Sequence, residues 1–336
     1  NASVSNATVT VTAGNNNNGV RSTGGNVDIN SGGKVVVSNG WNNDGIQTST
    51  GNAKVNQGTV EVTGTQNNAV HVTGTADLYY GTIKVSGTYS NGMHAPSGNV
   101  TTEGGSITIG GGAYNNGINL TNSGGTNTID RTTFNINSSN NIGIRVAKSN
   151  GTNTTVKYNT FKIGTSGNPV NNSVGVYVAP GEEISGVVGN NSESYGSYNT
   201  GILVSSNSTN NAKATTIQNG YHTINGTYSN GIELDTKEDT TIDTVTFNVL
   251  GNHSTGLVAG RYWNKHDPMD DLAVTNSIFN VSGGVSNSTS GIYLDNVKTT
   301  TINPTTYMYV ANASTGIELI NNGYNGSTVR EIDFNS

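Results

Sequence analysis

Side chains able to do chemistry are sparse in this 336-residue chain, and they gather in a few places. The densest is Arg261, Tyr262, Trp263, Lys265 and His266, in the long interval between Gly256 and Gly291. Trp263 is one of two tryptophans. An indole face stacks on a sugar ring, and an arginine grips a carboxylate or sulfate through two parallel hydrogen bonds. A long loop on a rigid scaffold is where such groups collect. A second basic-aromatic set is Arg145, Lys148 and Tyr177, suited to an acidic sugar. His71 and His94 are 23 residues apart; at equivalent positions of adjacent coils their rings lie within about 5 Å. Two such imidazoles repel when both are protonated, which makes them candidate pH sensors. Asp235, Glu238, Asp239 and Asp243 surround Lys237, but their spacing matches no calcium loop and reads as a solvated turn. The sequence thus predicts a ligand-binding set and a pH-sensing pair, with no catalytic residue, metal or cofactor.

The frame that positions these groups is a repeat. A polar run, a glycine and an apolar residue recur as Asn18-Gly19-Val20, Asp44-Gly45-Ile46, Asn91-Gly92-Met93, Asn116-Gly117-Ile118 and onward to Thr315-Gly316-Ile317, with Asn68-Ala69-Val70 as the one alanine copy. Most intervals are 23–26 residues, the mark of a solenoid. Each repeat holds three alternating runs: Ile118-Asn119-Leu120 after the glycine, Val27-Asp28-Ile29 about ten residues further on, and Phe134-Asn135-Ile136 after a tight turn. Alternation over a few residues means a half-buried strand. Three strands per repeat predict three parallel sheets around a narrow core, in one domain spanning 1–336 with about twelve coils. Ile118, Ile144, Ile202 and Ile232 should point inward. Phe134 with Phe161, and Phe247 with Phe279, should stack as core. The tight second turn carries Asn30, Asn56, Asp130, Asn159, Asn219, Asn276 or Asn303, residue types that tolerate a left-handed backbone.

Composition narrows the class. About one residue in six is Asn, and there is no Cys, so disulfides and thiolate metal sites are excluded. No stretch approaches the roughly 18 apolar residues of a membrane helix, so membrane insertion is not expected. The formal net charge of −6 disfavours polyanions at neutral pH. Near pH 4, protonated carboxylates and charged histidines reverse that, and nonspecific DNA binding becomes possible there. The chain begins mid-pattern and reads as an excised, monomeric binding segment of a longer exported protein.

Three strands per coil, an Asn-bearing short turn and variable other turns resemble the right-handed parallel β-helix of pectate lyases and polygalacturonases. The polar, cysteine-free composition is similar to the pectate-lyase-like binding regions of serine-rich-repeat adhesins from gut lactobacilli. The outward row of the first strand reads Arg21, Gln47, His71, His94, Asn119, Arg145, Tyr177, Leu203, Glu233, Val258, Tyr293, Glu318. The similar enzymes carry paired carboxylates or a calcium cluster on this face, and the row offers neither. Asn42-Asn43-Asp44-Gly45 resembles the Asn-Thr-Asp-Gly run of polygalacturonases, but the partner motifs are missing from the coils that follow. Asp44 therefore reads as a repeat variant in a turn. The resemblance implies a non-enzymatic bacterial surface adhesin, anchored to the cell wall through regions outside this chain. Its expected partners are mucin-type glycans or pectin-like polyuronates, bound better at acidic pH. Two alternatives stay open: a polysaccharide lyase, hydrolase or phage tailspike of this fold, and a passive autotransporter passenger.

Overall fold

The alternating runs of each repeat form strands of three separate parallel sheets. The computed structural model describes the chain except residues 13, 122–124, 148–152, 208–209, 261–267, 284–288, 321–330 and 335–336. The chain forms two units, Asn1–Lys162 and Ile163–Ser336, and each is a three-strand-per-coil β-solenoid without a helix among the described residues. In the first unit the glycine-led strands Asn18–Ser22, Asp44–Thr48, Asn68–Val72, Asn91–His94, Asn116–Leu120 and Ile142–Val146 pair in chain order as one parallel sheet, here the first sheet. In the second unit the equivalent strands are Val174–Val178, Thr200–Ser205, Asn230–Asp235, Thr255–Ala259, Ser290–Asp295 and Thr315–Ile320.

Register does the sorting. Ile118 pairs with Ile144 and Ile202 with Ile232, and all four are buried. The expected aromatic stacks form at coil spacing: Phe134 on Phe161 at 4.9 Å, Phe247 on Phe279 at 4.6 Å. The repeated glycine exists because its position also faces inward. A Cβ on Gly117 would lie 2.6 Å from the Gly143 carbonyl oxygen, 3.0 Å from Ile109 and 3.1 Å from Phe134. Ala69 shows that one coil accommodates the extra carbon.

The tight turn between the second and third runs differs from the expectation. Asn219 and Asn276 are left-handed, but elsewhere Gln57, Tyr80, Arg131, Tyr158 and Thr244 take that conformation, with φ of 48–57°. Asn56 and Asp130 lie one residue earlier, and Asn159 one residue later. Stacking supplies the reason: the left-handed residue's N–H is bonded to the next coil, as Gln57 N to Tyr79 O (2.9 Å) and Arg131 N to Lys157 O (3.2 Å). A cooperative cross-coil ladder offsets the roughly 1–2 kcal/mol local cost.

Candidate functional site

The face worth attention lies in the first unit, where the turn entering the first sheet meets that sheet's outer surface. Each turn contributes four informative positions. Three residues before the glycine, the backbone is left-handed: Asn42, Gln66, Tyr89, Tyr114 and Asn140 have φ of 55–61°. A left-handed residue projects its side chain outward, and Tyr89 and Tyr114 are 57% and 56% exposed. Their rings stack at 5.1 Å and 10°. The next position is buried and holds a ladder: Asn43 N donates to Asn67 Oδ1 (2.7 Å), Ser90 N to Asn115 Oδ1 (2.9 Å), Asn115 N to Asn141 Oδ1 (2.8 Å). The position after that builds a second, half-buried ladder. Asn116 Nδ2 donates to Asn91 Oδ1 (2.9 Å), Asn91 Nδ2 to Asn68 Oδ1 (2.9 Å), and Asn68 Nδ2 to Asp44 Oδ1 (2.8 Å). These two ladders account for the doubled Asn at 67–68 and 115–116 and fix the turn that carries the tyrosines.

The fourth position is the outward row, and its register is Gln47, His71, His94, Asn119, Arg145. Arg145 Nη1 donates to Asn119 Oδ1 at 3.4 Å. Between row and turn lies an open groove of about 350 Å³, lined by Tyr89, Asn91, Tyr114, Asn115, Asn116, Asn119, Asn140, Ile142 and Arg145. That volume is at the small end of ligand sites. The tyrosine ladder stops at Asn140, whose short side chain leaves one face of the Tyr114 ring uncovered. A ring-shaped ligand can stack there, meet the amides of Asn91, Asn116 and Asn119, and present an acidic group to Arg145. No Asp or Glu is among the described lining residues.

The predicted histidine pair forms. The rings of His71 and His94 stack at 5.4 Å and 13°, and His94 Nε2 shares a hydrogen bond with Thr121 Oγ1 at 2.8 Å. Asp44 is not a turn residue as expected: it is buried, begins the strand Asp44–Thr48, and its Oδ2 lies 3.1 Å from His71 Nδ1. A carboxylate only accepts, so that nitrogen carries the proton. The Asp44 hydrogen bond raises the His71 pKa above 6.5, against opposition from burial. Burial, aided by the charge on His71, lowers His94 to about 4. From about pH 4 up to 6.5 the pair holds one positive charge, on His71, and the two rings do not compete for it. In an Asp44→Asn variant the His71 pKa should drop, as read by NMR titration of the imidazole carbon-bound protons. An unchanged His71 titration would remove Asp44 from this role.

The other sequence candidates fare differently. Arg145 belongs to the groove. Tyr177 lies half-buried in the second unit, in the strand Val174–Val178, beside Leu203. Lys148, Arg261, Tyr262, Trp263, Lys265 and His266 lie outside the described residues. Val258, read as outward, is 3% exposed, in a strand buried at every position. No group of three or more His, Cys, Asp or Glu suited to a metal occurs among the described residues. Sequence reasoning passed over Tyr89 and Tyr114 and set Asp44 aside as a turn variant. The signal for the tyrosines was present as an aromatic three residues before the glycine, in consecutive repeats. Comparison with protein-family models, curated proteins and solved structures returned no match.

Proposed function

We propose that the first unit binds a glycan without cleaving it, with a sugar ring on Tyr114 and an acidic substituent at Arg145. The observation that carries this reading is the groove itself: an exposed aromatic ladder, an amide ladder and a guanidinium converge on a space lacking described carboxylates. Aromatic stacking and a few placed polar groups are how concave sites hold and orient small ligands. A bacterial surface adhesin for mucin-type glycans or polyuronates is the biological role this reading fits. Tyr114→Asn keeps the left-handed turn, since Asn140 and Asn42 occupy equivalent positions. It should weaken binding by about 1–3 kcal/mol, the size of an aromatic anchor. Arg145→Gln should weaken oligogalacturonate binding and leave neutral oligosaccharides little changed. A glycan array followed by calorimetry checks both; intact binding in Tyr114→Asn would dismiss the groove.

Acidic pH favours an acidic glycan on this face through His71. The groups facing its ring are Asp44 and His94, with Gln47 beside it in the row. His71 gains its charge as pH falls through its raised pKa, while His94 stays neutral to about 4. Oligogalacturonate affinity should therefore rise on acidification, and in Asp44→Asn that rise should move to lower pH. A flat profile from pH 7.5 to 4.5 would assign the site to neutral stacking alone.

A second reading, a polysaccharide-cleaving enzyme, draws on one observation: the buried Asp44 holding a protonatable His71 is a carboxylate–imidazole pair of the kind used in proton transfer. Release of reducing ends or unsaturated product from pectin, abolished by Asp44→Asn, would establish it.

A further inference from the structure

The second unit repeats the aromatic turn with the opposite charge around it. Three residues before their glycines, Tyr198, Tyr228 and His253 are left-handed, with φ of 58°, 52° and 53°. Their rings stack in a row, at 5.2 Å and 8°, then 4.6 Å and 10°. Tyr198 and Tyr228 are 58% and 46% exposed. The ladder is open at the Tyr198 end, because the preceding coil carries the short Asn172 at this position. A ring-shaped ligand can stack on that face and extend along the tyrosine edges, where the hydroxyls offer hydrogen bonds.

What lies beside this ladder differs from the first unit. The outward row there runs Asn119, Arg145; here it runs Tyr177, Leu203, Glu233, with the buried Val258 next in register. The Glu233 carboxylate accepts a hydrogen bond from Asn230 Nδ2 at 2.8 Å. Asn230 sits two residues beyond Tyr228, so that bond draws the carboxylate toward the aromatic turn. Its row neighbours are apolar, and among the described residues Glu233 has no ion-pair partner. The surroundings reinforce the sign. Residues 1–162 hold nine Lys and Arg against six Asp and Glu, a net +3; residues 163–336 hold six against fifteen, a net −9. A field of that sign concentrates cations and repels anions.

We propose that Tyr198, Tyr228, His253 and Glu233 form a second saccharide site, selective for a cationic amino sugar of the glucosamine type. The open Tyr198 face takes a pyranose ring, and Glu233 takes a protonated ring amine along the same chain of sugars. An N-acetylated sugar keeps the ring but loses the charge, so it lacks the Glu233 contact.

The test is calorimetry on the full chain at about pH 6, with a glucosamine hexamer, its fully N-acetylated counterpart and a lysine hexamer. The glucosamine hexamer should bind at least tenfold more tightly than the acetylated one. Tyr198→Asn, which copies the natural Asn172 turn, and Glu233→Gln, which keeps the size of the side chain, should each weaken it about tenfold. Both changes lie on exposed or half-exposed surface, and an unchanged thermal midpoint verifies folding. Equal affinity for the acetylated hexamer, or no loss in either variant, overturns the proposal. A lysine hexamer that binds as tightly and loses as much in Tyr198→Asn overturns the saccharide assignment. Loss of glucosamine binding in Tyr114→Asn places the ligand in the first unit and also overturns it. Failure of oligogalacturonate to bind the first unit leaves these readouts intact, so the two sites fail separately.

Discussion

Phe247→Ala should destabilise the second unit by about 3–5 kcal/mol, the cost of emptying a buried aromatic site whose surroundings relax only in part. Phe247 has no solvent exposure. It lies between Phe279 at 4.6 Å and His222 at 5.5 Å, so its loss strips contacts from the coils on both sides. Its ring also packs toward the repeat glycine, since a Cβ on Gly231 would lie 2.9 Å from the Phe247 ring. Hydrogen exchange should accelerate in Tyr221–Ile224, Thr246–Val249 and Ile278–Val281, with a lower urea midpoint. In a solenoid each coil contacts only its neighbours, so the loss should concentrate there. A cost below about 1 kcal/mol would mean that the coils close over the gap.

Acid should weaken the same stack through His222. This imidazole is buried in the core, with Nδ1 2.7 Å from Ser192 Oγ and Nε2 without a hydrogen-bond partner. Burial lowers its pKa to about 4 from an ordinary 6.5. Above pH 6.5 the folded and unfolded chains both hold it neutral, and it causes no pH dependence. Between 6.5 and 4 the unfolded chain takes up a proton that the folded chain refuses, so stability falls with pH. Each pH unit across that interval costs about 1.4 kcal/mol, so the loss approaches about 3 kcal/mol below pH 4. In His222→Phe this contribution should vanish, leaving a flatter profile whatever the neutral-pH stability becomes. The same slope in wild type and variant would acquit His222.

Much of this molecule was legible in its sequence. The inward Ile118 and Ile144, the stacked Phe134 and Phe161, and the three runs per coil followed from period-two alternation inside a period of about 25. Both are local signals that each repeat restates, and stacking copies of one coil leaves little freedom for another fold. The His71–His94 stack was legible for the same reason, since equal offsets from the glycine mean adjacent positions on one face. Tyr89, Tyr114, Tyr198 and Tyr228 share an offset of three and could have been found likewise.

Tertiary structure decided the rest. Nothing local indicates that Asp44 would be buried under an amide ladder and bonded to a histidine 27 residues away. Nor does sequence indicate which turn residue adopts the left-handed conformation, because the cross-coil hydrogen bonds that compensate it belong to the neighbouring coil. The groove exists because an aromatic ladder stops at Asn140 beside Arg145, a relation among three coils. The charge states of His71, His94 and His222 depend on burial and on neighbours at least 23 residues distant. A repeat specifies its backbone one coil at a time, whereas its chemistry arises where successive coils differ, and that difference acquires meaning only once they are stacked.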